Sequence, residues 1–178
     1  SGSNAENIYN YFKGSLEVSV VLICSNKKDA YIVTRAKKLN IPIIFTSKNN
    51  LENFDKLYLS LKKHKIDYII LAGFLLKIPF KMIIKFHNKI INIHPSLLPR
   101  YGGRGMYGDN IHKAVLKNKE YESGITIHLV NHNYDEGEII LQKKCCISRK
   151  ESLNSLRRKI KKLEFEYYPK TLKKLILK

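Results

Sequence analysis

This 178-residue chain is short of acid: 15 Asp and Glu stand against 33 Lys and Arg, a net charge of 33 − 15 = +18. An excess of that size can mark a nucleic-acid binder. The basic residues, however, are scattered along the whole chain beside Ile and Asn, with no Arg-rich arm, recognition-helix pattern or zinc-finger spacing. Nucleic acid is therefore not the expected partner, and the charge reads as a general drift toward Lys that still attracts anionic small molecules. Cysteine is scarce as well. Cys24, Cys145 and Cys146 lack the spacing of a zinc site, so no metal is expected, and the adjacent pair would point to opposite faces of a strand rather than bridge. A reduced, cytoplasmic protein is the natural reading. No apolar run approaches the roughly 20 residues of a membrane span, and no secretory signal opens the chain. Repeats and low-complexity linkers are also missing, so one domain over residues 1–178 is expected, as a monomer or homodimer.

What is present is organised around Ile91-Asn92-Ile93-His94-Pro95-Ser96-Leu97-Leu98-Pro99. The run from Lys89 to His94 reads as a short buried strand in which Asn92 and His94, two residues apart, project from the same face. Pro95 and Pro99 forbid further strand pairing. An amide and an imidazole side by side at the carboxyl end of a strand can bind a carbonyl oxygen that turns negative during acyl transfer. By itself, Asn-x-His is also the hydrogen-bonded end of many ordinary strands.

The rest of the chain alternates. Ser3-x-x-Glu6 is a capping box expected to open a helix with Ile8, Tyr9 and Phe12 on its apolar side. Residues 17–24 are nearly all apolar and β-branched, a strand covered on both faces, after which Ser25-Asn26 caps a helix reaching about Lys38. Ile43 to Phe45 and Asp67 to Ala72 repeat the strand signal around a helix from Leu51 to His64. Such alternation predicts an α/β fold with a mostly parallel central sheet flanked by helices. Gly73, in the turn after the third strand, lets the backbone pass close to another group. Residues 100–108 carry four glycines and suit a loop able to close over substrate. Asp109 to Lys117 reads as a helix, Gly124 to Val130 as a strand with His128 as a half-buried strand histidine, and Glu138 to Ile147 as another strand. Asp135 lies in the turn-rich loop between these last two. Ser148-x-x-Glu151 forms a second capping box, opening a helix with Leu153, Leu156, Ile160, Leu163 and Tyr167 at about helical spacing.

Asn92-Ile93-His94-Pro95-Ser96-Leu97-Leu98-Pro99, with Asp135-Glu136-Gly137-Glu138-Ile139-Ile140-Leu141-Gln142 beginning 135 − 92 = 43 positions later, resembles the folate-dependent formyltransferases. The resemblance runs over nearly the whole chain and is strongest to the branch that formylates glycinamide ribonucleotide in purine (IMP) biosynthesis. It implies a single-domain, Rossmann-like fold and transfer of a formyl group from the cosubstrate 10-formyltetrahydrofolate to the amine of phosphoribosylglycinamide. In those terms Asn92 and His94 hold the oxyanion and Asp135 moves the amine proton, directly or through water. Phe74, Leu75, Leu76 and Ile78, together with Asn92, line the folate pocket. Gly2-Ser3-Asn4 matches the family's phosphate loop, and Lys161 and Glu164 face the phosphoribosyl end. Ser-Asn-Ala is also a common expression scar, and that alternative stays open. The family places a strand before this loop that is absent here, so the chain is expected to begin inside its domain. The extra domains of methionyl-tRNA formyltransferases and formyltetrahydrofolate deformylases have no counterpart. Remaining alternatives are a basic nucleic-acid-binding module, a superfamily member acting on another amine, or a catalytically dead homologue.

Overall fold

The longest ladder among the described residues lies in the second half of the chain, where two eight-residue strands, β5 (Glu122–Leu129) and β6 (Ile139–Cys146), pair antiparallel with a shift of register between Ile127 and His128. The structure is a computed structural model that describes residues 2–178. Ahead of this ladder come α1 (Ser3–Phe12), β1 (Ile23–Ser25), α2 (Tyr31–Lys38), β2 (Ile43–Phe45), α3 (Lys48–Glu52), α4 (Phe54–Lys63), β3 (Ile69–Leu71), α5 (Phe80–Lys85), β4 (Ile90–His94) and α6 (Asp109–Lys117). Helix α7 (Leu153–Ile176) follows it. Strands β1 and β2 form a two-stranded parallel sheet, and a four-stranded sheet runs β3-β4-β5-β6. Because β3 is parallel to β4 while β5 is antiparallel to both β4 and β6, three of those four strands run the same way.

Helices cover both faces, as alternation predicted. Ile91, Ile93, Ile125 and Ile127 point to one side and pack with Ile8 and Phe12 of α1, Ile111 and Val115 of α6, and Leu156, Ile160, Tyr168 and Leu172 of α7. Each such side chain, taken fully from water, contributes about 1.5–3 kcal/mol. Ile90 points to the other side, among Leu51, Phe54, Leu57, Leu61, Ile78, Met82 and Phe86 of the α3–α5 layer. Asn92 and His94 share the side of Ile90, by the two-residue period of a strand. They emerge past the end of that second core.

Several boundaries differ from the expected ones. Of residues 17–24 only Ile23 and Cys24 join a ladder, because β2 is the sole strand neighbour of β1 among the described residues and begins just after Pro42. Ile23 N–H ends the pairing by donating to the Pro42 carbonyl at 2.9 Å. Helix α2 starts at Tyr31, not Asn26, since the Ser25 hydroxyl closes a local turn, accepting from Lys27 N–H at 3.2 Å and donating to its carbonyl at 2.9 Å. The helix expected over 51–64 is two helices broken at Asn53, whose ψ of 74° is not helical. The N-terminal capping box does not form either: the N-cap is Gly2, and Glu6 instead pairs with Arg35 of α2. Glu151 does accept from Ser148 N–H at 3.1 Å, but the helix begins later, where the Ser152 hydroxyl accepts from Ser155 N–H. In α7, Tyr167 packs partly buried against the core, and the next residue, Tyr168, is fully buried. Its hydroxyl donates to the Leu71 carbonyl at 2.8 Å, with the Ile91 carbonyl 3.2 Å away, and this pins α7 to the ends of β3 and β4.

Candidate active site

Strand β4 delivers Asn92 and His94 to the carboxyl edge of the sheet, and the chain is held there after Pro95 by a set of buried hydrogen bonds. Thr126 on β5 accepts from Leu98 N–H at 3.0 Å and donates to the Ser96 carbonyl at 2.7 Å. Gln142 on β6 reaches the Leu98 carbonyl at 2.8 Å. The Ser96 hydroxyl bonds to the Arg100 carbonyl at 2.8 Å. With the turn secured, His94 Nε2 meets the Tyr101 carbonyl at 2.8 Å. A carbonyl only accepts, so Nε2 carries a proton and Nδ1 is the nitrogen turned toward the loop that holds Asp135.

That loop is shaped by its own residues. Gly137 passes so close to β5 that a Cβ there would lie 1.7 Å from the Leu129 carbonyl oxygen, so glycine is required. Asn131 bridges the turn, accepting from Asn133 N–H at 3.0 Å and donating to the Glu136 carbonyl at 3.2 Å. Asp135 adopts a left-handed φ of 57°, a conformation Asp tolerates better than most residues. Its carboxylate then turns inward. Oδ2 accepts from Gly103 N–H at 3.0 Å and lies 3.5 Å from His94 Nδ1. Oδ1 lies 3.5 Å from Asn92 Nδ2 and 3.7 Å from Nε2 of His128. The antiparallel register sets Asn92 directly opposite His128, and Asn92 Nδ2 is 3.2 Å from His128 Nε2. Burial holds the His128 pKa below the ordinary imidazole value, outweighing the Leu129 carbonyl and the Asp135 carboxylate, which raise it. At neutral pH the ring is therefore uncharged, and its contact with Asp135 is not an ion pair.

Asn92, His94 and Asp135 line a cleft of about 630 Å³, whereas His128 is buried and not part of that lining. One end is lined by Ala72, Gly73, Phe74 and Leu75, and the other by Gly2, Ser3, Asn4, Lys161 and Glu164, with Arg104 to Gly108 along the rim. The two motifs farthest apart in the chain meet at the second end: Asn4 Nδ2 donates to Glu164 at 3.0 Å. Burial pushes the Glu164 pKa up, against the lowering effect of that bond and of Lys161. Asn4 Oδ1 is buried without a hydrogen-bond partner in the protein. Of the sequence-derived candidates, Leu76 and Ile78 do not join the others. Ile78 is 6% exposed within the second core and Leu76 packs against that core, because the chain turns back into the α3–α5 layer immediately after Leu75. Sequence reasoning took His128 for a half-buried strand histidine, whereas it is 2% exposed and lies against Asn92, and it did not single out Gly103 or the Thr126–Gln142 tie. His128 did carry a signal, since it shares a strand face with Thr126 in an alternating run.

An amide, an imidazole and a carboxylate lining one cleft at the carboxyl edge of an α/β sheet, with a second imidazole against the amide, fit the class of acyl-transfer sites. Comparison with known proteins narrows the class. The family model described as Formyl transferase matches residues 1–172, and the chain belongs to that family. The chloroplastic phosphoribosylglycinamide formyltransferase of Arabidopsis thaliana is 37% identical over 173 residues, covering 94% of this chain and 59% of the relative. Its Haemophilus influenzae counterpart is 34% identical over 177 residues, covering 97% and 81%. The crystal structure of phosphoribosylglycinamide formyltransferase from Bacillus halodurans superposes with a TM-score of 0.88 at 31% identity, over 99% of this chain and 91% of that one. The chain spans less than two thirds of the length of the plant relatives, 59% and 57%.

Proposed function

We propose that this protein transfers the formyl group of 10-formyltetrahydrofolate to the amine of phosphoribosylglycinamide, a step of de novo purine biosynthesis. The observation that carries the reading is the convergence of Asn92, His94 and Asp135, from positions up to 43 residues apart, in the lining of one cleft. The neutral amine attacks the formyl carbon, the carbonyl π pair moves to oxygen, and a tetrahedral intermediate forms. An Asn92 N–H stabilises that oxygen, and His94 does so from Nδ1 in the doubly protonated form of its ring, since its Nε2 proton is held by the Tyr101 carbonyl. Asp135, anchored by Gly103 N–H, takes the proton from the attacking nitrogen directly or through water. Collapse breaks the bond to the folate nitrogen, which leaves with a proton, so one N–H is lost and one gained overall.

The cleft's ends supply the rest. Gly2, Ser3 and Asn4 open α1, where unpaired backbone N–H groups and the helix dipole suit a phosphate, and Lys161 adds a cation nearby. Phe74 and Leu75 offer an apolar wall and turn backbone to a pterin. In this reading both substrates are anionic small molecules, which the +18 charge attracts. The free Cys24, Cys145 and Cys146 suit a reduced, cytoplasmic setting. Among the described residues no helix is long and apolar enough to cross a membrane, and no cluster of three or more His, Cys, Asp or Glu could hold a metal ion. The test is to mix the protein with 10-formyltetrahydrofolate and phosphoribosylglycinamide and follow both products by mass spectrometry. Formylated ribonucleotide appearing in step with tetrahydrofolate supports the reading. Formyl loss without a formylated ribonucleotide overturns the assignment of the acceptor.

A further inference from the structure

His128 is the one ring in the cluster whose hydrogen bonds determine how a neighbour is turned. Its Nδ1 lies 2.8 Å from the Leu129 carbonyl, which can only accept, so Nδ1 carries the proton and the neutral ring leaves a bare lone pair on Nε2. Asn92 Nδ2 lies 3.2 Å from that lone pair. The two orientations of an Asn amide have nearly the same shape, but only one makes a bond here. Turned the other way, the amide would set its oxygen against a second acceptor and leave Asp135 facing a third. In the favoured orientation the second Nδ2 proton faces Asp135 Oδ1 at 3.5 Å, at the long limit of a hydrogen bond, beside the cleft that both residues line.

We propose that His128 is a positioning residue for formyl transfer: its Nε2 lone pair holds one N–H of Asn92, so that the other is the atom presented to the formyl oxygen as it becomes negative. The proposal rests on the formyl-transfer reading above. As charge develops, that second N–H exchanges a long contact with Asp135 for a bond to the oxyanion, while Gly103 N–H keeps Asp135 in place to receive the amine proton. A donor held in position before the reaction needs no reorganisation during it. Without His128 the amide is free to present its oxygen instead, which repels the intermediate.

The full chain labelled with 15N provides the first test. Ring nitrogen shifts at neutral pH should show His128 protonated at Nδ1 and bare at Nε2, and the reverse pattern overturns the proposal. Single-turnover formyl transfer provides the second. His128→Gln can place an amide oxygen near the position of Nε2 and is expected to keep its rate within several-fold of wild type. His128→Leu, matched for apolar packing but without an acceptor, is expected to lose roughly 100-fold in rate with little change in KM for either substrate. A residue that only fills space would rank the two variants the other way, and that ranking overturns the proposal. Should His128→Leu not fold, the ring shifts and the Gln variant still decide. If wild-type protein transfers no formyl group at all, formyl transfer itself fails, while the ring shifts still report whether His128 is an acceptor.

Discussion

Asn92 and His94 stand on β4, which is paired on both sides by β3 and β5 and backed by Ile91, Ile125 and Ile127, all fully buried. The loop that faces them, residues 100–108, is built differently. Gly103, Gly105 and Gly108 all take positive φ, Arg104 and Tyr107 are exposed, and the glycine-rich part is tied by Gly103 N–H to Asp135, Met106 N–H to the Gly103 carbonyl, Asn110 N–H to the Tyr107 carbonyl, and a long contact from the Asn110 side chain to Gly105. On the proposed reading, the difference follows from the two jobs a transferase cleft must do. Groups that meet developing charge gain most when the backbone holding them has nowhere to go, and a segment that must admit and release substrates belongs to the least cross-linked part of the structure. Asp135 is where the two meet, since its two oxygens take one partner from the loop and others from the floor.

The comparison breaks most sharply at Asn92. Asn92→Ala is expected to lower kcat by roughly two to three orders of magnitude, about 3–4 kcal/mol, while KM changes much less. Near-normal turnover with weakened binding, in steady-state kinetics, would make Asn92 a binding residue instead.

Next comes the tie beneath the floor. Thr126→Val keeps the shape but strips the acceptor from Leu98 N–H and the donor from the Ser96 carbonyl, both buried. A loss of about 2–3 kcal/mol in urea-unfolding stability is expected. A variant as stable as wild type would show that the turn after β4 holds itself.

A smaller effect is expected at the end of the cleft proposed to hold the phosphate. Gly2 takes a φ of 69°, and a Cβ there would lie 2.6 Å from Ile32 Cδ1 and 2.9 Å from its Cα. Gly2→Val should therefore displace the start of α1 and raise KM for the ribonucleotide on the order of tenfold, ~1.4 kcal/mol, with KM for the folate unchanged. An unchanged ribonucleotide KM would remove residues 2–4 from the site.

The smallest effect concerns pH. Burial lowers the pKa of His112 from 6.5, against a raising contribution from Asp109, and His112 Nδ1 has no partner. A histidine whose folded pKa lies below its unfolded value favours folding above about pH 6.5, and that contribution disappears as pH falls through the folded value. His112→Leu should flatten the fall in thermal stability between pH 7 and pH 5 relative to wild type, and an unchanged slope would assign the acid sensitivity to other groups.

The carboxyl end of β4 was legible in the chain because its rules are local. Two residues on a strand share a face whatever surrounds them, and proline stops a ladder wherever it occurs. The same holds for the alternation that set helices on both sides of the sheet, and for the family, whose motif lies in eight consecutive residues. Helix starts were less legible, since Ser25 and Ser148 carry capping signals but spend them on turns. What lay beyond local rules is the pairing of β4 with β5, which sets His128 opposite Asn92 across 36 residues, and the bend after Leu75 that buries Ile78 in the core rather than in the cleft. The chain by itself determined which side chains had the chemistry and which of them shared a strand face. Only the tertiary structure decided that an antiparallel neighbour and a glycine-tightened loop bring an imidazole and a carboxylate to the same amide, because register and loop closure depend on contacts distant in sequence.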